Sequence, residues 1–244
     1  MIRGKRGLPF LIGTLLALLA GNAVADLGTD RVRVSGFGTA ALTFGGDEYL
    51  GFRRDLYREG LFDHDASLFA DSILGLQVDT RLTDDIDGTV QLVGKDRAED
   101  SLEDAVEWAF LRYRLSPDWT LRAGRMGFDI YMLSEYRSLG FSYLWTRPPV
   151  EFYGPVAFDS FDGVDITYST QVGDGTMRAK LYSGKTKNNF LVLGTLQEIK
   201  LQPIYGASLS WESDRWQLRL SVAPNRIDDN LQVFPGTEPL VEIL

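Results

Sequence analysis

An all-β chain wound as a transmembrane, antiparallel up-and-down β-barrel is the fold the sequence predicts, and three observations predict it. Apolar and polar residues alternate over nine segments, the connections between them are long and short by turns, and tryptophans stand at segment ends beside the short connections. A strand with lipid on one side and water on the other needs that period of two. Short turns at one end of a barrel and long loops at the other sort the connections by length. A soluble sandwich alternates as well, but nothing in it makes every second connection long.

Residues 1–25 are set apart from the rest. "MIRGKRG" supplies Arg3, Lys5 and Arg6, "LPFLIGTLLALLAG" is an apolar core, and "AVA" ends at Ala25 ahead of Asp26. This is the three-part pattern of a cleaved secretory signal peptide. Its apolar core is shorter than the roughly 20 residues a spanning helix needs. Residues 26–244 are then the expected barrel domain, and they open with "RVRVSGFGTAALTF". There Val32, Val34, Gly36, Gly38, Ala40, Leu42 and Phe44 share a face opposite Arg31, Arg33, Ser35, Thr39 and Thr43.

In "DSILGLQVDTRL", Leu74, Leu76, Val78 and Leu82 oppose Gln77, Asp79 and Arg81, and a weaker strand covers residues 89–95. "EWAFLRYRL" sets Ala109, Leu111, Tyr113 and Leu115 against Arg112 and Arg114, and "WTLRAGR" sets Trp119, Leu121 and Ala123 against Arg122. After a long irregular stretch, "DGVDITYSTQV" alternates Val164, Ile166 and Tyr168 with Asp165, Thr167 and Ser169. "TMRAKLY", "PIYGASLSWE" and "WQLRLSV" complete the set, with Arg178, Lys180 and Arg219 in their polar phase.

Short connections are expected at 83–88, 116–118, 173–175 and 213–214, and long ones at 45–70, 96–104, 127–161 and 184–200. The acidic turn with Asp84, Asp85 and Asp87 is expected to face water, as turn carboxylates do, and not to hold calcium. Trp119 and Trp216 follow short turns and Trp211 precedes one. Rings at the lipid boundary, with one edge dry and one wet, form an aromatic girdle.

Composition excludes several kinds of chemistry. The 244 residues contain no cysteine and one histidine, His64, so disulfides and thiolate metal sites are out and histidine catalysis has little room. No cofactor and no metal are expected. The net charge is −9, and loss of the leader makes it more negative still, which argues against a nucleic-acid partner. His64 lies in "FRRDLYREGLFDHD", a stretch charged with both signs that reads as a solvated outer loop.

The chain resembles Gram-negative outer-membrane porins. The resemblance is carried by "VRVSGFGTAAL" directly after the leader, by "LRAGR", and by "SEYRSLGFSYLWTRPPVEFYGPVAFDSFDGVDITY". It implies a homotrimer of 16-stranded barrels in the outer membrane, each passing small hydrophilic solutes or ions by passive diffusion through a water-filled channel. It also implies that the third outer loop folds inward to narrow that channel. Nine strands and an end, "GTEPLVEIL", without a final strand closed by an aromatic residue lead to the expectation that these residues are the N-terminal part of a longer porin.

In a barrel the polar phase points into the lumen. That phase carries Arg31, Arg33, Arg81, Lys95, Arg112, Arg114, Arg122, Arg178, Lys180 and Arg219, against Asp79, Asp165 and Glu212. The candidate pore-wall residues are Arg112, Arg114, Arg122, Arg178, Lys180 and Arg219. The candidate constriction-loop residues are Asp129, Glu135, Arg137, Glu151 and Asp159. Within that loop "IYMLSEYRSLG" is compatible with a short helix stopped at Gly140, whereas Pro148 and Pro149 forbid one further on. Two readings of the wall cations stay open together: they attract anions, or loop carboxylates neutralise them and are held down by them. The loop itself has an inward and an outward reading. The expected function is an anion-preferring passive channel and not an enzyme. The alternative is an outer-membrane enzyme or adhesin that uses the barrel as a scaffold.

Overall fold

The computed structural model describes residues 31–45, 66–97, 102–139, 153, 158–192 and 195–227. The leader, His64, Gly140, Pro148, Pro149 and Glu151 therefore lie outside the described residues. β1 (Val32–Thr39) is followed by a small hairpin of β2 (Thr43–Phe44) and β3 (Ala66–Ser67). Then come β4 (Ile73–Arg81), β5 (Ile86–Lys95), a single helical turn α1 (Leu102–Ala105), β6 (Val106–Arg114) and β7 (Trp119–Gly127). After residues 128–159 the chain runs through β8 (Ser160–Val172), β9 (Gly175–Val192), β10 (Thr195–Glu212), β11 (Gln217–Val222) and β12 (Asn225–Ile227).

The protein is all-β. Nine strands form one antiparallel up-and-down sheet in the order β1-β4-β5-β6-β7-β8-β9-β10-β11, and β12 pairs with β10 beyond a break at 223–224. The sheet is open: β1 and β11 are its edges. Register follows the sequence period because a slip of one residue would exchange the faces of a whole strand. Ile86, Tyr113, Leu121, Ile166, Leu181, Ala207 and Val222 stand opposite one another across the seven strands β5 to β11. One residue away on the other face, Asp87, Arg112, Arg122, Asp165, Tyr182 and Gly206 form the matching row.

The polarity of these faces is the reverse of a water-soluble sheet. The apolar face is bare, with Leu181 61% exposed and Leu220 73%. The polar face is covered where residues 128–139 lie on it: Gln91, Glu107 and Asp165 are all buried. Apolar packing is concentrated at the long-connection end of that same polar face, where Met126, Phe128, Phe161, Tyr182, Leu201 and Ile204 form one cluster. Beside it, Gly124, Gly163 and Gly184 stand opposite one another across β7, β8 and β9. Gly124 has φ +131, and a Cβ there would meet the Ala109 carbonyl at 2.3 Å, so neighbouring backbones approach closely at that row.

Three boundaries differ from the sequence expectation. Residues 184–200 are not a long loop: β9 and β10 are 18 residues each, and only 193 and 194 separate them. Past the apolar zone Lys185, Thr186, Lys187 and Asn188 are polar in both phases, so alternation carries no contrast there. β5 begins at Ile86, which takes Asp87 out of the turn and onto the polar face. The expected short helix is a single 3-10 turn at Ser134–Tyr136, entered through Leu133 in the left-handed region at φ 63.

Candidate functional site

Residues 128–139 cross the polar face from β11 to β5, held by charge at each step. β7 ends at Gly127, and the chain folds straight back over it. A Cβ on Gly127 would lie 2.6 Å from Glu135 Cγ and 2.8 Å from its carbonyl, so only glycine permits this approach. Ser134 fixes the fold-back by donating from Oγ to the Phe128 carbonyl at 2.8 Å and accepting from the Tyr131 N–H at 3.1 Å. Phe128 plugs the segment into the apolar cluster, 5.9 Å from the Phe161 ring and 6.4 Å from Tyr182. Tyr136 stands edge-on to Trp108 of β6 at 5.7 Å.

The ionic contacts are more extensive than the apolar ones. Arg219 on β11 donates from Nη2 to the Asp129 carboxylate at 2.9 Å and to its carbonyl at 3.1 Å. Lys180 on β9 donates to Asp129 at 2.6 Å and to Glu135 at 3.3 Å. Arg122 on β7 donates from Nη1 to Glu135 at 2.7 Å, grips Asp165 of β8 through Nε and Nη2, and lies 5.2 Å above the Phe110 ring. At the far end Lys95 on β5 binds Glu107 at 2.7 Å and Asp159 at 2.8 Å, while Ser138 donates to Glu107 at 2.8 Å. Arg137 of the segment pairs with Asp159, the residue just before β8.

Most of these groups are well covered, and their electrostatics follow from that. Burial works to raise the Asp129 carboxyl, but Lys180 and Arg219 overcome it and hold the group below the usual carboxylate range. Asp159 behaves alike: burial opposes ionisation, and Arg137 and Lys95 prevail. Two ionic networks result: Arg122, Lys180 and Arg219 share Asp129, Glu135 and Asp165, while Lys95, Arg97 and Arg137 share Glu107 and Asp159. Such an array is a rigid strut with a strong local field and little net charge. Among the described residues, no group of three or more His, Asp or Glu side chains is arranged to hold a metal ion.

The sequence-predicted site residues therefore divide. Arg122, Lys180 and Arg219 of the wall meet Asp129 and Glu135 of the loop, and Arg137 and Asp159 pair with each other. Arg112 and Arg114 do not face the loop: both bind Asp87, Arg114 at 2.8 Å, beside the β4–β5 turn. Arg178 pairs across strands with Glu212 at 2.8 Å, also away from the loop. Register does not separate them, since Arg112 stands opposite Arg122 and Arg178 shares the Ser210 row with Arg219; the diagonal path of residues 128–139 does. Glu107, Ser138 and Phe128 were missed as site residues. Glu107 carried a readable signal, since a carboxylate in the apolar phase of "EWAFLRYRL" announces an irregularity. Val106 and Trp108 pair with Leu92 and Gln91, and the extra residue between them is Glu107. This β-bulge swings its carboxylate to the polar face.

No protein-family model matches the sequence, and no curated protein matches it.

Proposed function

We propose that this chain builds the wall of a porin-like outer-membrane channel, through which small hydrophilic solutes or ions diffuse passively, and that residues 128–139 narrow its lumen. The observation that carries the reading is the inverted polarity of the sheet: across strand after strand the apolar side chains are bare, and the charged ones are covered where residues 128–139 cross them. A continuous apolar face of this extent has no place against water. Against lipid it is what a spanning strand presents. The bare face also has a suitable height. On β8 it runs from Val164 to Val172, and Asp162, paired with Arg125 at 2.8 Å, closes it at the long-connection end. Its nine residues span about 30 Å along a strand, or about 23 Å when tilted, close to the roughly 25 Å apolar band of outer-membrane barrels. Trp119 and Tyr168, with rings 4.9 Å apart, lie towards the short-turn end, where an aromatic girdle belongs.

Closure is part of the proposal, because an unpaired strand edge is not tolerated in lipid. The edges β1 and β11 must be joined through further strands. A passive channel fits the distribution of polar groups better than a scaffolded enzyme, since they are spread along the wall and locked in pairs. Planar-bilayer recording tests this. Stepwise currents that scale with salt are expected, whereas a protein that inserts without current, or that hydrolyses the lipid, overturns the channel.

A further inference from the structure

The polar face carries a second group of cations that the loop lattice does not touch. Near the β4–β5 turn, Arg31 and Arg81 are linked through the Arg81 N–H and the Arg31 carbonyl at 2.8 Å. Arg81 stands opposite Asp87, Asp87 opposite Arg112, and Arg33 opposite Asp79. With Arg114, five guanidiniums share this end of the face with two carboxylates. Neither carboxylate is available to the outer three. Asp87 is taken by Arg112 and Arg114, and Asp79 accepts from Gln77 and Thr89, each at 2.8 Å. Among the described residues Arg31, Arg33 and Arg81 have no ion-pair partner, and all three are exposed. Asp84 and Asp85 belong to the exposed turn beyond the strand ends.

Arg31 and Arg81 are like charges facing each other, which is destabilising in a sheet, and five guanidiniums against two occupied carboxylates leave an excess of positive charge that a small anion would relieve. We infer that the guanidinium cluster of Arg31, Arg33, Arg81, Arg112 and Arg114 is a recruitment site for small oxyanions at the short-turn mouth of the channel. The inference rests on the channel reading and changes where selectivity arises. Under the loop, Arg122, Lys180 and Arg219 are matched by Asp129, Glu135 and Asp165 and set little net potential. The unmatched ones stand at the mouth, where exposed positive charge concentrates anions ahead of the constriction. A guanidinium offers a planar fork that fits carboxylate or phosphate oxygens.

The test is reversal potential in a potassium chloride gradient, with and without inorganic phosphate, for the native protein and for Arg33→Gln/Arg81→Gln. The native channel is expected to favour chloride and to lose chloride current when phosphate is added. The double variant should lower the anion-to-cation permeability ratio about sevenfold for each kT of local potential removed, since anions and cations respond in opposite directions, and phosphate should no longer block. Arg33→Lys/Arg81→Lys keeps the charge and should retain chloride preference, which separates the electrostatic effect from misfolding. A conducting double variant with native selectivity and native phosphate block overturns the site while leaving the channel intact. Absence of any current from the native protein overturns both.

Discussion

Lys180 and Arg178 are two residues apart on β9, project from the same face and come from the same polar phase, yet they differ in almost every other respect. The Lys180 side chain is 16% exposed and is shared between Asp129 and Glu135 of the crossing segment. The Arg178 side chain is 48% exposed and meets only Glu212 of the next strand, itself as exposed. The two positions mark two regions of one wall, a covered end where charge is structural and an open end where it remains available to solutes. Strand period assigns a side chain to a face. The path of a loop that begins and ends elsewhere assigns it a role.

The sharpest way to break the comparison is to remove the charge that holds the covered end together. Asp129→Asn leaves Lys180 with Glu135 alone and Arg219 without a carboxylate among the described residues. Losing one partner of a buried pair costs about 3–5 kcal/mol, so the midpoint of urea unfolding in detergent should fall accordingly. Protease should then cut within residues 128–139, and single-channel conductance should rise as the strut lifts. Arg219→Gln added to Asp129→Asn should recover part of the loss, because the cation left unpaired is gone. Fully additive losses would mean the two groups do not share one interaction. Phe128→Ala makes the same point from the apolar side. Burying nothing in the place of a 2%-exposed ring costs about 3–5 kcal/mol, with the same opening of the segment but no change in the charge lattice.

How much of this was legible follows from where the information lies. The nine strands were readable because each meets two different environments, so residues such as Leu111 and Arg112 alternate in contrast. The same logic failed at Lys185, Lys187 and Lys200, where both faces of the β9–β10 ribbon are polar. The acidity of the long segment was visible, but its aim was not: Asp129, Glu135 and Asp159 follow no period, and their targets lie on β11, β9, β7 and β5. Sequence put Arg112, Arg114 and Arg178 in the same class as Arg122, and no local feature could separate them. The separation depends on the path that residues 128–139 take across the face from the fold-back at Gly127.

pH gives a milder test of the covered end. Asp129 and Asp159 titrate below the usual carboxylate range in the folded protein because Lys180, Arg219, Arg137 and Lys95 outweigh burial. A depressed carboxyl contributes stability that is fully present above the unfolded-state value of about 3.9 and is lost as pH falls through the folded one. Protease resistance of residues 128–139 should therefore stay level from pH 7 to about 4 and decline only below it. A release centred between pH 5 and 6 would contradict the pairing of these carboxylates.

The smallest expected effect belongs to the open end. Arg178→Gln removes one member of an exposed pair, and such pairs contribute roughly 0–1 kcal/mol, so unfolding should scarcely move. Protease resistance at 128–139 should not change, since Arg178 touches nothing in that segment. Selectivity is the finer measurement. Arg178 is balanced by Glu212, whereas Arg33 and Arg81 are not balanced by any described carboxylate, so Arg178→Gln should shift the reversal potential less than either change at the mouth. If Arg178→Gln and Arg33→Gln shift it equally, then exposure alone governs the field and the count of matched charges does not. If Arg178→Gln destabilises as much as Asp129→Asn, the wall has a single kind of cation, and the division between its two ends fails.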